Sequence, residues 1–398
     1  MVHVLIFAER RSSAAAPLGA AGGAPAGVRC RGTSPALPNL RAVLVAQVCP
    51  YSLSAPGGVQ GQVRALARAL RRLGHDVVVL GPLDGAPPEP GLRSVGRSVR
   101  VAANGSMVPL APWPATFRRT LALLADLRPD VVHIHEPLVP GPALAALASS
   151  ARARVGTFHR SGGSLGYALT LPAARLAAAR LDQRFAVSPE AAATARVLGG
   201  TYEVLWNGVD LSPLASVERI ERSGPTVLFV GRHERRKGLE VALEAFSRLP
   251  PGATLWVVGP GTANDELQRR YRAVSGVVFC GAVSEAEKWA RLRAADVLVA
   301  PSLFGESFGV VLLEAMGAGA VVVGSDLPGY RRATADGEAA LLVPAGDVDA
   351  LAGALARALS DRVLASQLVT AGKRLAASFS IDRLAATYVA SYRALLGG

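Results

Sequence analysis

Short valine-rich runs that alternate with alanine-rich helical segments predict an α/β protein built on doubly wound parallel sheets. The series occurs twice: it starts at residue 42, breaks over a hinge at residues 207–225, and restarts near residue 226. At 398 residues the chain is long enough to give each series its own core. Two such domains, with the carboxyl edges of their sheets facing, enclose a deep cleft, and ligands belong there.

Residues 42–48 read as a short buried strand, and residues 57–73 as a helix with apolar repeats at Val63, Leu66, Ala67 and Leu70. Gly74 stops that helix, and residues 76–80 give the next strand. Strands near 131–134 and 155–157 follow, joined by alanine-rich helices. In the second series the strands fall at 226–230, 255–258, 277–280, 297–300, 320–324 and 341–343. A helix is expected from near Ser307. Gly317 and Gly319 imitate half a nucleotide fingerprint, but they follow a helix and precede a strand, so they read as a helix stop.

Composition narrows the class less than the pattern does. Half the residues are apolar and only 5% aromatic, and no window approaches the roughly eighteen apolar residues of a spanning helix. Cys30, Cys49 and Cys280 are scattered and odd in number, which excludes a disulfide framework or zinc spacing and fits a reducing cytoplasm. The net charge of +13 suits a nucleotide diphosphate, an anionic lipid surface or nucleic acid, but no nucleic-acid module accompanies it. Residues 1–9 are a brief apolar run without the charged start of a secretory signal, and residues 10–40 are rich in Ala, Gly, Pro and Ser. The segment 1–40 reads as a disordered extension or a mis-assigned start. Deleting it is expected to leave folding and turnover intact; a melting temperature lower by several degrees would show that it adds a strand.

The most informative stretch is Gly305-Glu306-Ser307-Phe308-Gly309, a loop running into an apolar helix, with seven residues between Glu306 and Glu314. Free N–H groups and the dipole at such a helix start favour phosphate. A carboxylate there repels phosphate, so Glu306 needs another role, such as accepting hydrogen bonds from sugar hydroxyls. Glu314, two turns into the expected helix, suits a ribose diol. Arg232 and Lys237 follow the 226–230 strand, where two fixed cations stabilise charge building on a departing diphosphate. Both heads are expected to be solvent-reachable without donor. Gly57 and Gly58, between the first strand and helix, permit close backbone approach by a ligand but lack the full dinucleotide fingerprint. His159 follows the 155–157 strand at the cleft edge. His133 and His135, with Glu136, lack the third ligand that a metal site needs.

The Glu306 and Glu314 pair resembles the signature of the retaining family-4 glycosyltransferases, and residues 230–238 are similar to that family's donor-diphosphate loop. Residues 49–63, residues 133–137 and Phe158-His159 resemble one branch, the phosphatidyl-myo-inositol mannosyltransferases. The resemblance runs from about residue 41 to about residue 382. It implies the GT-B architecture: an acceptor-side Rossmann-like domain at 41–208, a donor nucleotide-sugar domain at 209–380, and a helix at 381–398 that packs back on the first domain. It implies catalytic roles for His159, Glu306, Arg232 and Lys237. The donor would meet Gly57, Gly58, Arg232, Lys237, Glu306, Ser307, Phe308, Gly309 and Glu314, and the acceptor Tyr51, Gln60 and Arg160. His159 would lie beside the reacting sugar, orienting and polarising it, while the departing phosphate serves as base. No cofactor or essential metal is implied; GDP-mannose would be a substrate. The implied partners are that donor, a lipid or polyol acceptor and an anionic membrane surface, with no nucleic acid. The implied place is the cytoplasm, peripheral on the inner face of the plasma membrane.

The acceptor side departs from the branch. Ser54, Leu138, Arg160 and Ser164 stand where it has Asp, Asn, Thr and Lys, and its basic helix shrinks to residues 117–121. Each lost basic residue removes roughly 1 kcal/mol of attraction to acidic lipid. The same donor chemistry on another glycolipid, polyol or secondary metabolite is therefore an alternative, as is a non-catalytic nucleotide-sugar or lipid binder. Intact Arg232, Lys237, Glu306 and Glu314 argue against the binder. A nicotinamide-dependent oxidoreductase would need a glycine fingerprint after a strand and an acidic residue about twenty further on, and neither is present.

Overall fold

The computed structural model describes residues 42–397, apart from residues 56, 104–105, 161–170, 262–263 and 272. The predicted extension, Cys30 and Ser164 lie outside the described residues. The first sheet contains β1 (Leu44–Val48), β2 (Asp76–Gly81) and β3 (Leu92–Ser94). After a separate antiparallel hairpin, β4 (Val99–Ala103) and β5 (Ser106–Leu110), it continues with β6 (Val131–His135), β7 (Ala153–Phe158), β8 (Gln183–Ala186) and β9 (Glu203–Val204). Its order is β3-β2-β1-β6-β7-β8-β9, and all its pairings are parallel. The second sheet contains β10 (Thr226–Val230), β11 (Thr254–Val258), β12 (Val277–Gly281), β13 (Val297–Ala300), β14 (Val321–Ser325) and β15 (Leu341–Val343). Its order is β12-β11-β10-β13-β14-β15, again parallel. Strand order reverses at β1/β6 and at β10/β13, the switch points where a doubly wound sheet opens a crevice.

The Val-rich strands form because both sheet faces are covered. One cluster of buried side chains on the first sheet holds Val45, Leu66, Val79 and Val155, and another holds Ala46, Val132, Ile134 and Leu147. The second sheet repeats the division, with Leu228, Leu298 and Val322 in one cluster and Val227, Val257 and Val299 in another. Such two-sided burial favours continuous apolar runs over alternation. The predicted strands coincide with observed ones to within two residues at either end. Sequence reading missed β3, the hairpin, β8 and β9. These are short or lie toward an edge, and β8 begins with Gln183 and Arg184, so no apolar run marks them.

One helix boundary moves with consequence. The helix expected from Ser307 begins at Val310, because Gly305 (φ 76°) and Gly309 (φ 85°) adopt left-handed conformations that hold the loop open. Glu314 thus sits just over one turn into the helix, not two.

The helix Ile381–Leu396 lies along the helix Gly58–Arg72 and adds Ile381, Ala385, Tyr388, Val389 and Tyr392 to a core of the first sheet. Its entry is pinned by Val209, which donates to Phe379 O (2.8 Å) and accepts from Ile381 N–H (2.9 Å). Arg68 donates to Asp210 and Arg72 to Asp382 beside the same junction. Among the described residues, no helix is long and apolar enough to cross a membrane.

Candidate active site

The carboxyl ends of β10 and β13 bring the second sheet's charged groups together. Glu306 Oε1 accepts from Lys237 Nζ (2.7 Å), Arg236 Nη1 (3.1 Å) and Ser302 Oγ (3.0 Å). Its side chain is only 9% exposed, so this carboxylate is held by cations in a largely dry site. Two glycines make the approach possible. A Cβ at Gly329 would lie 2.2 Å from Glu306 O, and one at Gly238 (φ 68°) would lie 1.9 Å from Pro301 O. Tyr330, fully buried, shares a hydrogen bond with Ser302 (2.9 Å) and completes the support. Burial first, then the Glu306 charge, pushes its phenol up and keeps it neutral.

This corrects one expectation. Lys237 is not a free cationic head but one locked onto a buried carboxylate. Arg232 is the more exposed of the two and pairs with Glu234 (2.9 Å), which also holds Arg236 (2.9 Å). Sequence reasoning did not single out Arg236, Ser302, Gly329 or Tyr330. The signal available was position alone: Ser302 follows β13 by two residues, and Gly329 and Tyr330 open the helix after β14.

Glu314 lies apart from that cluster. Its Oε1 accepts from Lys288 Nζ (2.9 Å), a lysine also paired with Glu285 (3.1 Å). Burial lowers the lysine's pKa, but the two carboxylates outweigh it and the net shift is upward, so Lys288 stays charged. Ser307 is half-buried and Gly309 caps the helix. Phe308, implied as a donor contact, is set inward. Its ring is buried between Trp206 (5.4 Å) and Phe379 (5.2 Å), which leaves only its backbone for a ligand.

On the first sheet, Gly57 caps and Gly58 opens the helix Gly58–Arg72. A Cβ at Gly58 meets nothing within 4 Å, while one at Gly57 would strike the Gln60 side chain. Gln60 itself is buried, contrary to an open acceptor contact, because its amide folds back over Gly57. Tyr51 is half-buried and bridges to Leu110, and Arg160 is also half-buried. Ser54 Oγ accepts from Asp84 N–H (3.1 Å), and Leu138 packs on the core.

His159 follows β7 and is 8% exposed. Its backbone N–H donates to Glu136 Oε1 (2.7 Å), and its Nε2 lies 3.0 Å from His135 Nδ1. His133 stacks on His135 (4.4 Å) and reaches Tyr392 OH (2.6 Å) and Thr157 Oγ1 (2.7 Å). Among the described residues, no group of three or more His, Cys, Asp or Glu is placed to hold a metal ion. The hydrogen bonds of His159 stay within the first sheet, and those of Glu306 within the second. The two halves touch at Arg332, which grips Glu190 with both terminal nitrogens and lies over the Trp206 ring, and at the Arg68–Asp210 pair.

Burial drives the imidazoles down, His133 and His159 to about 3 and His135 well below its usual value, and drives Glu136 up to about 7. The signs oppose. Below pH 6.5 the unfolded histidines bind protons that the folded ones refuse, so stability falls with pH by about 1.4 kcal/mol per unit for each. Between pH 4.5 and 7 folded Glu136 holds a proton that the unfolded chain has lost, which returns about 1.4 kcal/mol per unit. Three imidazoles outweigh one carboxyl. Denaturant midpoints are expected to drop as the pH falls from about 6.5 to about 4.5 and faster below about 4.5, and Glu136→Gln should steepen the drop above about pH 4.5. A midpoint that rises on acidification would show that these imidazoles are not held neutral.

Comparison with known proteins places this geometry. Residues 56–213 match a family model described as Glycosyltransferase Family 4, and residues 224–361 match one described as Glycosyl transferases group 1. A phosphatidyl-myo-inositol mannosyltransferase of Mycolicibacterium smegmatis is 40% identical over 328 residues, 80% of this chain and 85% of that protein. One from Mycobacterium tuberculosis is 38% identical over 370 residues, 89% and 97% of the two chains. Among solved structures, sucrose-phosphate synthase from Thermosynechococcus elongatus superposes with a TM-score of 0.69 at 22% identity, covering 90% of this chain and 100% of that one. This last likeness speaks for the fold alone, the GT-B pair of Rossmann-like domains. By family model and by identity along most of its length, the chain belongs to the family-4 glycosyltransferases.

Proposed function

We propose that the chain moves mannose from a guanosine diphosphate sugar, with retention, onto a phosphatidylinositol-like acceptor. The observation that carries the transfer reading is Glu306, held dry between Lys237 and Arg236 at the carboxyl ends of β10 and β13. The choice of sugar and acceptor rests on the names of relatives 38–40% identical. On donor entry the diphosphate oxygens become partners of Lys237 and Arg232, whose fixed charges offset the negative charge that grows as the sugar leaves. Glu306 then accepts from the sugar hydroxyls and Glu314 from the ribose. His159 orients the sugar, and the departing phosphate takes the acceptor proton. With two cations at the diphosphate, no metal is needed in this scheme. The +13 charge and the exposed Trp113, Arg118 and Arg119 around the start of the helix Pro114–Leu127 support a cytoplasmic enzyme peripheral on an anionic membrane.

A second reading keeps the donor chemistry and changes the acceptor. It is favoured by Ser54, engaged with the Asp84 backbone, and by Leu138, turned into the core. A panel of nucleotide hexoses with a total-lipid extract, with and without chelator, separates the readings if released nucleotide and labelled lipid are counted separately. Labelled phosphatidylinositol is expected with the guanosine donor. A labelled lipid other than phosphatidylinositol, or nucleotide release without labelled lipid, favours the second reading, and no release from any donor leaves only a binder.

A further inference from the structure

The buried chain Gln47–His135–His159 has no part in the scheme above beyond its last member, yet the amide orientation that satisfies Gln47 gives its hydrogen bonds one direction. Gln47 lies on β1 in register with His133 of β6, and its amide docks on the helix Gly58–Arg72. With its NH2 toward Val63 O (3.2 Å) and its oxygen toward Ala67 N–H (3.2 Å), both contacts run from donor to acceptor. The reverse orientation would set oxygen against oxygen and N–H against N–H. In the satisfied orientation the same NH2 donates to His135 Nε2 (3.1 Å).

The rest follows from counting protons. A neutral imidazole carries one N–H, and a nitrogen that accepts cannot carry it. Because His135 Nε2 accepts, its proton sits on Nδ1 and is donated to His159 Nε2 at 3.0 Å. His159 Nε2 therefore accepts as well, which forces the His159 proton onto Nδ1. A charged His159 is excluded by the same logic, since its Nε2–H would face the His135 Nδ1–H. No described residue is a hydrogen-bond partner of His159 Nδ1, and His159 keeps 8% of its surface open.

We propose that Gln47 and His135 are positioning residues that lock His159 in the Nδ1–H tautomer, so that His159 meets its ligand as a hydrogen-bond donor and not as a base. The inference rests on the reading of His159 as a group that touches the reacting sugar. A donor N–H suits a sugar oxygen or a phosphate oxygen and leaves the acceptor proton to the departing phosphate. The backbone of one helix thus fixes, through two side chains, the proton of a third.

The test reads the tautomer without substrate. The full-length chain, labelled with 15N-histidine, is observed by long-range nitrogen–proton correlation, with signals assigned through His135→Phe and His159→Asn. His135 and His159 are both expected in the Nδ1–H form; an Nε2–H form at His159 overturns the proposal. Gln47→Met keeps shape and burial but removes all three amide contacts, the one to His135 included. It is expected to fold, to show a mixture of tautomers at His159, and to lose about tenfold in turnover with nucleoside diphosphate affinity unchanged, as loss of one oriented hydrogen bond would give. A fall in turnover with the Nδ1–H signal intact would mean a merely structural role and sinks the idea, as would wild-type turnover with a pure signal. Absence of transfer in every variant and the wild type would instead count against the glycosyltransferase reading, leaving the tautomer result standing.

Discussion

Lys237→Ala and Arg232→Ala are each expected to lower turnover about 100-fold or more at saturating donor, as loss of one preorganised charge stabiliser does. The two differ in what they do to the empty protein. Removing Lys237 leaves the buried Glu306 carboxylate with only Arg236 and Ser302, and a poorly compensated buried charge costs about 1–3 kcal/mol. Arg232 is 37% exposed, and its partner Glu234 keeps Arg236, so its loss should leave stability within about 0.5 kcal/mol. Turnover and denaturant midpoint, measured on both variants, separate the two effects. Near-full turnover in either variant would end the diphosphate assignment, and an unchanged midpoint for Lys237→Ala would end the claim that Glu306 depends on it.

The sequence carried the interior of the fold and the identity of the charged groups better than it carried their pairing. Runs such as Val321-Val322-Val323 announce strands because both faces are covered, whereas β8 and β9, toward an edge with polar members, give no such run. Glu306, Lys237 and Arg232 were legible from spacing after strands. That Glu306 and Lys237 bond each other was not, since the contact spans 69 residues and depends on Gly238 and Gly329 letting backbones meet. The setting of the Phe308 ring was hidden for a related reason: the resemblance implies a donor contact there, and Trp206 and Phe379, remote in sequence, close over the ring. His133 and His135 were visible as an alternating pattern on one strand, but the direction of the His135 and His159 protons is set by Gln47, which nothing in the linear pattern marks.

Glu306→Gln and Glu314→Gln should part company. The first keeps shape but replaces a charged acceptor with a neutral amide, weakening the hydrogen bonds to sugar hydroxyls, so transfer should collapse. In the empty site that same carboxylate occupies Lys237 and Arg236, and its neutralisation frees both for phosphate. Free nucleoside diphosphate should accordingly bind Glu306→Gln as well as the wild type or several-fold tighter. Glu314 is held by Lys288, which keeps only the exposed Glu285 when Glu314 is neutral. Its proposed partner is the ribose, common to the free nucleotide and the nucleotide sugar. Glu314→Gln should therefore weaken both ligands alike, by about tenfold for a charge-assisted hydrogen bond. Titrating each variant with each ligand gives four affinities. Equal losses in both variants for both ligands would deny the two carboxylates any division of labour. A weaker free diphosphate in Glu306→Gln would show that the carboxylate supports the Lys237 and Arg236 geometry more than it masks their charge.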